Sequence, residues 1–278
     1  MTDVSRTRGL EITTVFGCSI RCTYCPQDVL LHSHSLVAHQ QLQFSDFKLV
    51  CDKLPKPFKI HFAGFSEPFH NPRCADMIRY ALDQEFLVKI STTLNGFRLK
   101  DIDIFEGRRC HPIVLHLPSI DQMMTITMNS QYLESVGRVI QTLRVGDLVL
   151  TFGRAFHPSI ARLFDTCESE VETRVLVPDS KQWYTRAGNN ITFKETPDWT
   201  SNAAVRCSKE RLTLNVMLPD GTVVLCCMDW SGKHVLGNLF KQSYEDIVSS
   251  ESLQQVVRGL SNSGSGTLCW KCEFAVPT

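Results

Sequence analysis

The sequence predicts an α/β protein: a partial (β/α)6 TIM-like barrel over residues 1–180 and a small C-terminal α+β domain over 181–278. Three observations predict it. Six short runs, β-branched and almost continuously apolar, alternate with amphipathic stretches over residues 10–177, as strands buried on both faces alternate with covering helices. Beyond Pro178 that rhythm gives way to a hairpin signal. Seven of the twelve cysteines gather near the two ends of the chain, and five, Cys51, Cys74, Cys110, Cys167 and Cys207, are scattered.

The first strand is predicted over 10–16, running straight into Gly17 and a cysteine-rich loop. Residues 45–54 open on a Ser/Asp cap signal and read as a helix. The second strand is 58–63, followed by a helix over 72–84 with apolar residues at helical spacing. Strands over 87–92, 113–117, 147–152 and 173–177 continue the series, with helices over 131–143 and 158–167. Parallel strands joined this way place the loops at their C-terminal ends around a common site. Residues 212–217 and 222–226 flank Leu218-Pro219-Asp220-Gly221 as a hairpin. A last helix over 244–260 leads to Cys269-Trp270-Lys271-Cys272.

Lys+Arg and Asp+Glu are 29 each, so no electrostatic footprint points to nucleic acid or an anionic membrane. Hydrophobic content is 43%, and no apolar run approaches the roughly 20 residues of a membrane helix. Met1-Thr2-Asp3-Val4-Ser5-Arg6 lacks an apolar signal core, so a cytoplasmic protein is expected. Twelve cysteines in a reducing compartment point to metal or catalytic use, not to disulfides. Cys18, Cys22 and Cys25 fall within eight residues. Soft thiolates select zinc or iron–sulfur centres. A 4Fe–4S cube normally takes four thiolates, so three leave one iron open; the alternative is a structural zinc with a distant fourth ligand.

Cys18-x3-Cys22-x2-Cys25 with Tyr24 before the last cysteine resembles the signature of the radical S-adenosylmethionine (radical SAM) superfamily. The resemblance implies that these cysteines bind three irons of a 4Fe–4S cluster, that SAM chelates the fourth, and that Tyr24 lies near the adenine. His61-Phe62-Ala63-Gly64-Phe65-Ser66-Glu67-Pro68, followed by Asn71-Pro72, is similar to the family's Gly-Gly-Glu stretch. It implies that the backbone around Gly64 and Ser66, together with Glu67, receives the SAM ammonium, Ser66 standing where a second glycine is usual. Ser91-Thr92-Thr93-Leu94-Asn95-Gly96 resembles the Ser-Thr-Asn-Gly segment with an insertion, and Ser119-Ile120-Asp121 resembles the Ser-x-Asp segment near the SAM ribose and carboxylate.

The C-terminal motifs extend the match. Asp220-Gly221, Cys226-Cys227-Met228-Asp229-Trp230, Leu236-Gly237-Asn238 and Cys269-x2-Cys272, with Cys207 upstream, are similar to the SPASM/twitch extension. This implies one auxiliary 4Fe–4S cluster on Cys207, Cys226, Cys269 and Cys272, two clusters in all. If the hairpin strand includes Cys226 and Cys227, the pair points to opposite faces; the family's ligand follows the Asp-Gly turn, so the resemblance implies that Cys226 binds the cluster. Cys227 is then a small buried hydrophobe or a hydrogen-atom donor.

The resemblance implies reductive cleavage of SAM to a 5′-deoxyadenosyl radical, hydrogen abstraction from substrate, and a low-potential electron donor such as flavodoxin or ferredoxin. A fully ligated auxiliary cluster suits removal of a second electron, hence a radical SAM oxidoreductase. The short architecture is similar to 2-deoxy-scyllo-inosamine dehydrogenase-type twitch enzymes, so a small polar sugar-like or cyclitol-like substrate is expected. The alternatives are radical SAM modification of a short peptide (oxidation, crosslink or epimerisation) and a zinc-binding interaction module. A first strand near residue 10 leaves no expected room for an N-terminal leader-binding domain. Arg186, in Trp183-Tyr184-Thr185-Arg186-Ala187-Gly188-Asn189, resembles an Arg-Ala-Gly-Asn stretch that pairs with substrate or bridges the two domains. Asp229 is a candidate acid or base, or a loop carboxylate. His32, His34 and His39 read as polar loop residues or as a short metal-binding run, and His61 and His116 as strand histidines that either fill the core or reach the site.

Overall fold

The computed structural model describes residues 8–33, 40–106, 110, 112–165, 171–177, 185–190 and 204–278. Six strands alternate with helical segments in the first part: β1 (Gly9–Ile12), α1 (Gln27–Ser33), α2 (Phe44–Cys51), β2 (Lys59–Phe62), α3 (Cys74–Asp83), β3 (Leu87–Thr92), β4 (Ile113–His116), α4 (Ser130–Thr142), β5 (Leu148–Phe152), α5 (Pro158–Phe164) and β6 (Glu172–Leu176). The chain continues through β7 (Val205–Cys207), β8 (Leu214–Met217), β9 (Thr222–Val224), β10 (Val235–Asn238), α6 (Tyr244–Val248), α7 (Glu251–Gly259) and β11 (Ala275–Pro277). Strands β1 to β6 lie side by side in chain order, all parallel. The expected α/β partial barrel is therefore present.

The C-terminal strands complete this sheet. β8 pairs parallel with β1, and β8, β9 and β10 form an antiparallel meander, giving the order β10-β9-β8-β1-β2-β3-β4-β5-β6. A first-strand edge that would expose unpaired backbone is thus covered. β7 and β11 form a separate antiparallel pair. Period-two alternation divides the barrel strands. Leu10, Ile12, Ile60, Phe62, Val88, Ile90, Ile113, Leu115 and Val149 are buried in the main core. Their neighbours Glu11, His61, Lys89, Ser91, Val114, His116, Leu148 and Leu150 face an internal cavity.

Several boundaries differ from the sequence reading. β1 ends at Ile12, because beyond it the chain leaves its neighbours and bonds to loops: Thr14 Oγ1 donates to the Pro68 carbonyl at 2.8 Å and Asn71 Nδ2 donates to the Thr14 carbonyl at 3.1 Å. Helix α1, unread in the sequence, starts directly after the cysteine loop and carries His32 in its last turn. The link from β3 to β4 contains a 3₁₀ helix, Leu99–Ile104. The expected helix over 244–260 is two helices, since Ser243 and Ser250 each cap a new N-terminus. The strand expected over 222–226 stops at Val224. Cys167, His34, His39, Trp183 and Tyr184 lie outside the described residues. No helix among the described residues is long and apolar enough to cross a membrane.

Candidate functional site

A cavity of about 490 Å³ lies inside the barrel. Cys18, Cys22 and Cys25 line it, with Tyr24, Gly64, Ser66, Glu67, Ser91, Arg186 and Cys227. The cysteine loop is wound on itself: the Cys22 N–H donates to the Ile20 carbonyl at 3.0 Å and the Cys25 N–H to the Cys22 carbonyl at 3.0 Å. It is tied down from outside by the Thr23 N–H on the Met123 carbonyl, 2.9 Å. Burial pushes the Cys18 thiol up to about 11. Hydrogen bonding with Cys22 draws the Cys25 thiol down, with further help from the Arg186 guanidinium. Tyr24 packs against Phe152 beside the thiols, with ring centroids 4.0 Å apart and ring planes tilted by 31°.

The opposite rim is the segment after β2. Gly64 has φ +72°, and a Cβ there would stand 2.2 Å from Thr13 Oγ1, so the chain crosses β1 closely only because this residue is glycine. Ser66 Oγ and Gln27 Oε1 are buried without a hydrogen-bond partner, and both residues line the cavity. Glu67 corrects the sequence expectation. Its carboxylate accepts from Thr92 Oγ1 (2.5 Å), the Phe69 N–H (3.2 Å), the Thr93 N–H (2.7 Å) and Thr93 Oγ1 (2.7 Å). Both oxygens are filled by the fold, which leaves the ammonium of a ligand to backbone carbonyls or to other groups. Burial raises the Glu67 pKa against the lowering effect of these four donors.

Two further expectations are corrected. Ser91 does line the cavity, its Oγ 2.8 Å from His61 Nε2. Asn95, however, is turned to His70 (2.8 Å), and Ser119 is buried in a bridge to Phe156. Neither lines the cavity. Both follow their strands by at least two residues, where loop geometry, not strand alternation, sets direction.

Residues 185–190 staple the halves together. Arg186, Ala187 and Gly188 all have positive φ (50°, 53° and 80°), so successive N–H groups turn to one side as an anion-binding nest. Glu273 fills it: its carboxylate accepts from Thr185 Oγ1 (2.9 Å) and from the N–H groups of Arg186 and Ala187 (3.0 Å each). Arg186 Nε donates to the Tyr24 carbonyl (3.2 Å), Asn190 Nδ2 to the Thr23 carbonyl (3.1 Å), and Asn189 Nδ2 to the Met228 carbonyl (2.9 Å). The turn therefore joins the cysteine loop to the C-terminal region and points one cation into the cavity.

A second group of thiols, Cys207, Cys226, Cys269 and Cys272, rings a small gap of about 20 Å³ whose other walls include Leu212, Leu225, Met228 and Phe274. The Arg211 N–H donates to Cys207 Sγ and the Phe274 N–H to Cys272 Sγ, each at 3.4 Å. The adjacent pair separates: Cys226 faces this gap, and Cys227 faces the large cavity. The cause is not strand alternation, since both lie in the turn after β9.

Residues 207–273 match the SPASM family model, described as an iron–sulfur cluster-binding domain. Among solved structures, the chain is similar to BtrN in complex with AdoMet and 2-DOIA: 15% identity, TM-score 0.61, covering 97% of this chain and 98% of that one. Streptococcus suis SuiB bound to precursor peptide SuiA gives 12% identity and TM-score 0.60, covering 97% of this chain and 70% of that one. Native anSMEcpe with bound AdoMet gives 12% and 0.55, covering 89% and 82%. No curated protein matches the sequence. The chain shares the fold of these three structures, and its residues 207–273 match an iron–sulfur cluster-binding domain.

The donor sets suit iron–sulfur clusters, the group that the matched domain model describes. Each site offers thiols, the soft ligands of iron–sulfur clusters, and N–H donors on Cys207 and Cys272 are the outer contacts that orient ligating sulfurs. Among the described residues no three His, Cys, Asp or Glu side chains converge as ligands of one metal ion. Asp229 is corrected: wholly buried and off the cavity, it accepts from the N–H groups of Lys233 (2.8 Å) and His234 (2.9 Å) and closes a turn.

Sequence reading missed Glu11, Lys89, Arg211 and Glu273. Arg211 Nη1 donates to Glu11 Oε1 at 2.9 Å, and His61 Nδ1 lies 3.4 Å from the same oxygen. Burial works to raise the Glu11 pKa, but His61 first and then Arg211 and Lys89 outweigh it and bring it to about 2. Burial brings His116 down to about 3. The available signal was a charged residue inside an otherwise apolar strand run, Leu10-Glu11-Ile12 and Val88-Lys89-Ile90.

Proposed function

We propose that this chain is a radical SAM enzyme that abstracts a hydrogen atom from a small polar metabolite and completes a net oxidation, with an auxiliary 4Fe–4S cluster accepting an electron. The observation that carries the reading is the presence of two separate thiol-lined sites, three cysteines on the barrel cavity and four in the SPASM region. Cys18, Cys22 and Cys25 would hold one cluster, and Cys207, Cys226, Cys269 and Cys272 the other. Loaded with its cluster and SAM, the first site supplies reductive cleavage of SAM to methionine and a 5′-deoxyadenosyl radical, chemistry that belongs to the cofactor.

The chain's own residues orient and enclose. Tyr24 and Phe152 offer aromatic faces for an adenine, and Val114, Leu148, Leu150 and Leu176 form a dry wall that keeps water from a reactive carbon centre. Glu11, His61, Ser91 and His116 form a polar wall; burial lowers the His61 pKa and brings that of His116 down to about 3, so the His116 ring can hydrogen-bond a hydroxyl group without adding charge. A volume of about 490 Å³ must hold SAM as well, which favours a small molecule or one residue of a peptide over a bulky substrate. The 2-DOIA held by BtrN and the precursor peptide bound to SuiB mark the two substrate classes to compare.

Anaerobic reconstitution with reductant and SAM, scored for 5′-deoxyadenosine, tests this reading. Cys22→Ala should abolish SAM cleavage and remove about four irons per chain, one cluster's content. Cys269→Ala should remove a similar amount while leaving uncoupled SAM cleavage. Full product formation by Cys269→Ala would exclude the electron-accepting role, and a single bound zinc at the first loop would exclude the whole reading.

A further inference from the structure

We infer that the substrate carries an anionic oxygen group, carboxylate or phosphate, which docks on Lys89 at the floor of the barrel cavity. This inference rests on the proposed function and specifies its substrate class.

Glu11, His61 and Lys89 form one row across three adjacent strands, since Glu11 is in register with His61 and His61 with Lys89. All three side chains line the cavity. Two members of the row are already matched. Glu11 is neutralised by Arg211 at 2.9 Å, and His61 Nε2 is bonded to Ser91 Oγ at 2.8 Å. Lys89 has no hydrogen bond or ion pair with any described residue, although burial disfavours its charged form. Glu11 acts on it through space but is already bonded to Arg211, and a desolvated ammonium without a hydrogen-bonded counter-charge is unfavourable unless a ligand provides one.

The balance of charge around the cavity has the same sense. Lys89, Arg174, Arg186, Lys209 and Arg211 line it, against the carboxylates of Glu11 and Glu67. Glu67 is saturated by four donors within the fold, and Glu11 is claimed by Arg211. SAM brings a sulfonium and an ammonium against one carboxylate, so it adds no net negative charge. A SAM that chelates a cluster on Cys18, Cys22 and Cys25 would keep its carboxylate beside that loop, at the strand ends. Lys89 lies three residues below Thr92, the last residue of β3, a drop of about 10 Å at strand rise. The group that meets Lys89 is therefore assigned to the substrate.

The test uses the holoenzyme, both clusters reconstituted without oxygen and SAM saturating, titrated calorimetrically with inorganic phosphate, glutarate and, as the neutral control, myo-inositol. Lys89→Gln, Lys89→Arg and the surface variant Lys48→Gln are compared with the unmodified chain. Phosphate or glutarate should bind saturably, and whichever binds more tightly tells phosphate from carboxylate. Lys89→Gln should weaken that binding about ten- to a hundredfold, the range for removing a hydrogen bond to a charged group. Lys89→Arg should retain most of it, and Lys48→Gln all of it. SAM affinity, measured separately, should be unchanged in Lys89→Gln. The inference is overturned if neither anion binds, if Lys89→Gln binds as the unmodified chain does, or if that variant loses SAM affinity instead. Absence of 5′-deoxyadenosine from the reduced holoenzyme is a separate readout and would count against the radical SAM reading, not against the anion site.

Discussion

Replacing Glu67 by Gln separates a role in the fold from a role in holding a ligand. In the structure its two oxygens accept four hydrogen bonds, two from backbone N–H groups and two from threonine hydroxyls. A carboxamide has one acceptor oxygen, so its NH2 must face one of the two pairs. The threonine hydroxyl of that pair can rotate and accept, but the backbone N–H cannot. Whichever way the amide turns, one buried N–H is orphaned: Phe69, now at 3.2 Å, or Thr93, now at 2.7 Å. An orphaned buried donor costs about 1–3 kcal/mol. At about 2–4 °C per kcal/mol for a chain somewhat smaller than this one, Glu67→Gln should lower the melting temperature by several degrees. Glu67→Ala, which orphans all the donors, should lower it further. Calorimetry of the anaerobic holoenzyme, paired with SAM equilibrium binding, makes the measurement. If Glu67→Gln melts like the unmodified chain yet loses SAM affinity, the carboxylate serves the ligand and the assignment to the fold is wrong.

Three other outcomes are expected. Gly64→Ala places a Cβ 2.2 Å from Thr13 Oγ1 at φ +72°, and should lower both the melting temperature and SAM affinity; adding Thr13→Ala should restore only part, because left-handed strain of about 1–2 kcal/mol persists. Glu273→Gln should loosen the 185–190 turn by leaving at least one of the Arg186 and Ala187 N–H groups without its carboxylate; uncoupled SAM cleavage should rise relative to product, and an unchanged ratio would separate the turn from substrate placement. Glu11 has its pKa lowered from 4.5 to about 2, so it contributes stability above pH 4.5 that is lost as pH falls toward 2, on the order of 3 kcal/mol. The melting-temperature gap between the unmodified chain and Glu11→Gln should therefore shrink between pH 6 and pH 3, and a constant gap would show that the Glu11 ion pair does not govern it.

The residues also show where sequence reasoning holds and where it stops. Cys18, Cys22 and Cys25, the alternation of apolar runs and the Asp220-Gly221 turn are local patterns. Spacing along a chain restricts which side chains share a loop or a face, so the parallel barrel and the three-cysteine loop were legible without coordinates. Strand ends were less so: β1 stops at Ile12 because Thr13 and Thr14 find partners 50 or more residues away, which no local propensity encodes. Cys226 faces the small gap and Cys227 the cavity because of a turn rather than strand alternation. Glu67 and Asp229 looked like functional carboxylates, and the fold consumes both as hydrogen-bond acceptors. The sequence by itself determined the architecture and the three-cysteine loop, because those depend on periodicity and short spacing, while the C-terminal cysteines were grouped by resemblance. Tertiary structure alone decided which charges meet, pairing Glu11 with Arg211 across 200 residues and leaving Lys89 facing the cavity, because electrostatic partnership depends on distances that only the closed sheet sets.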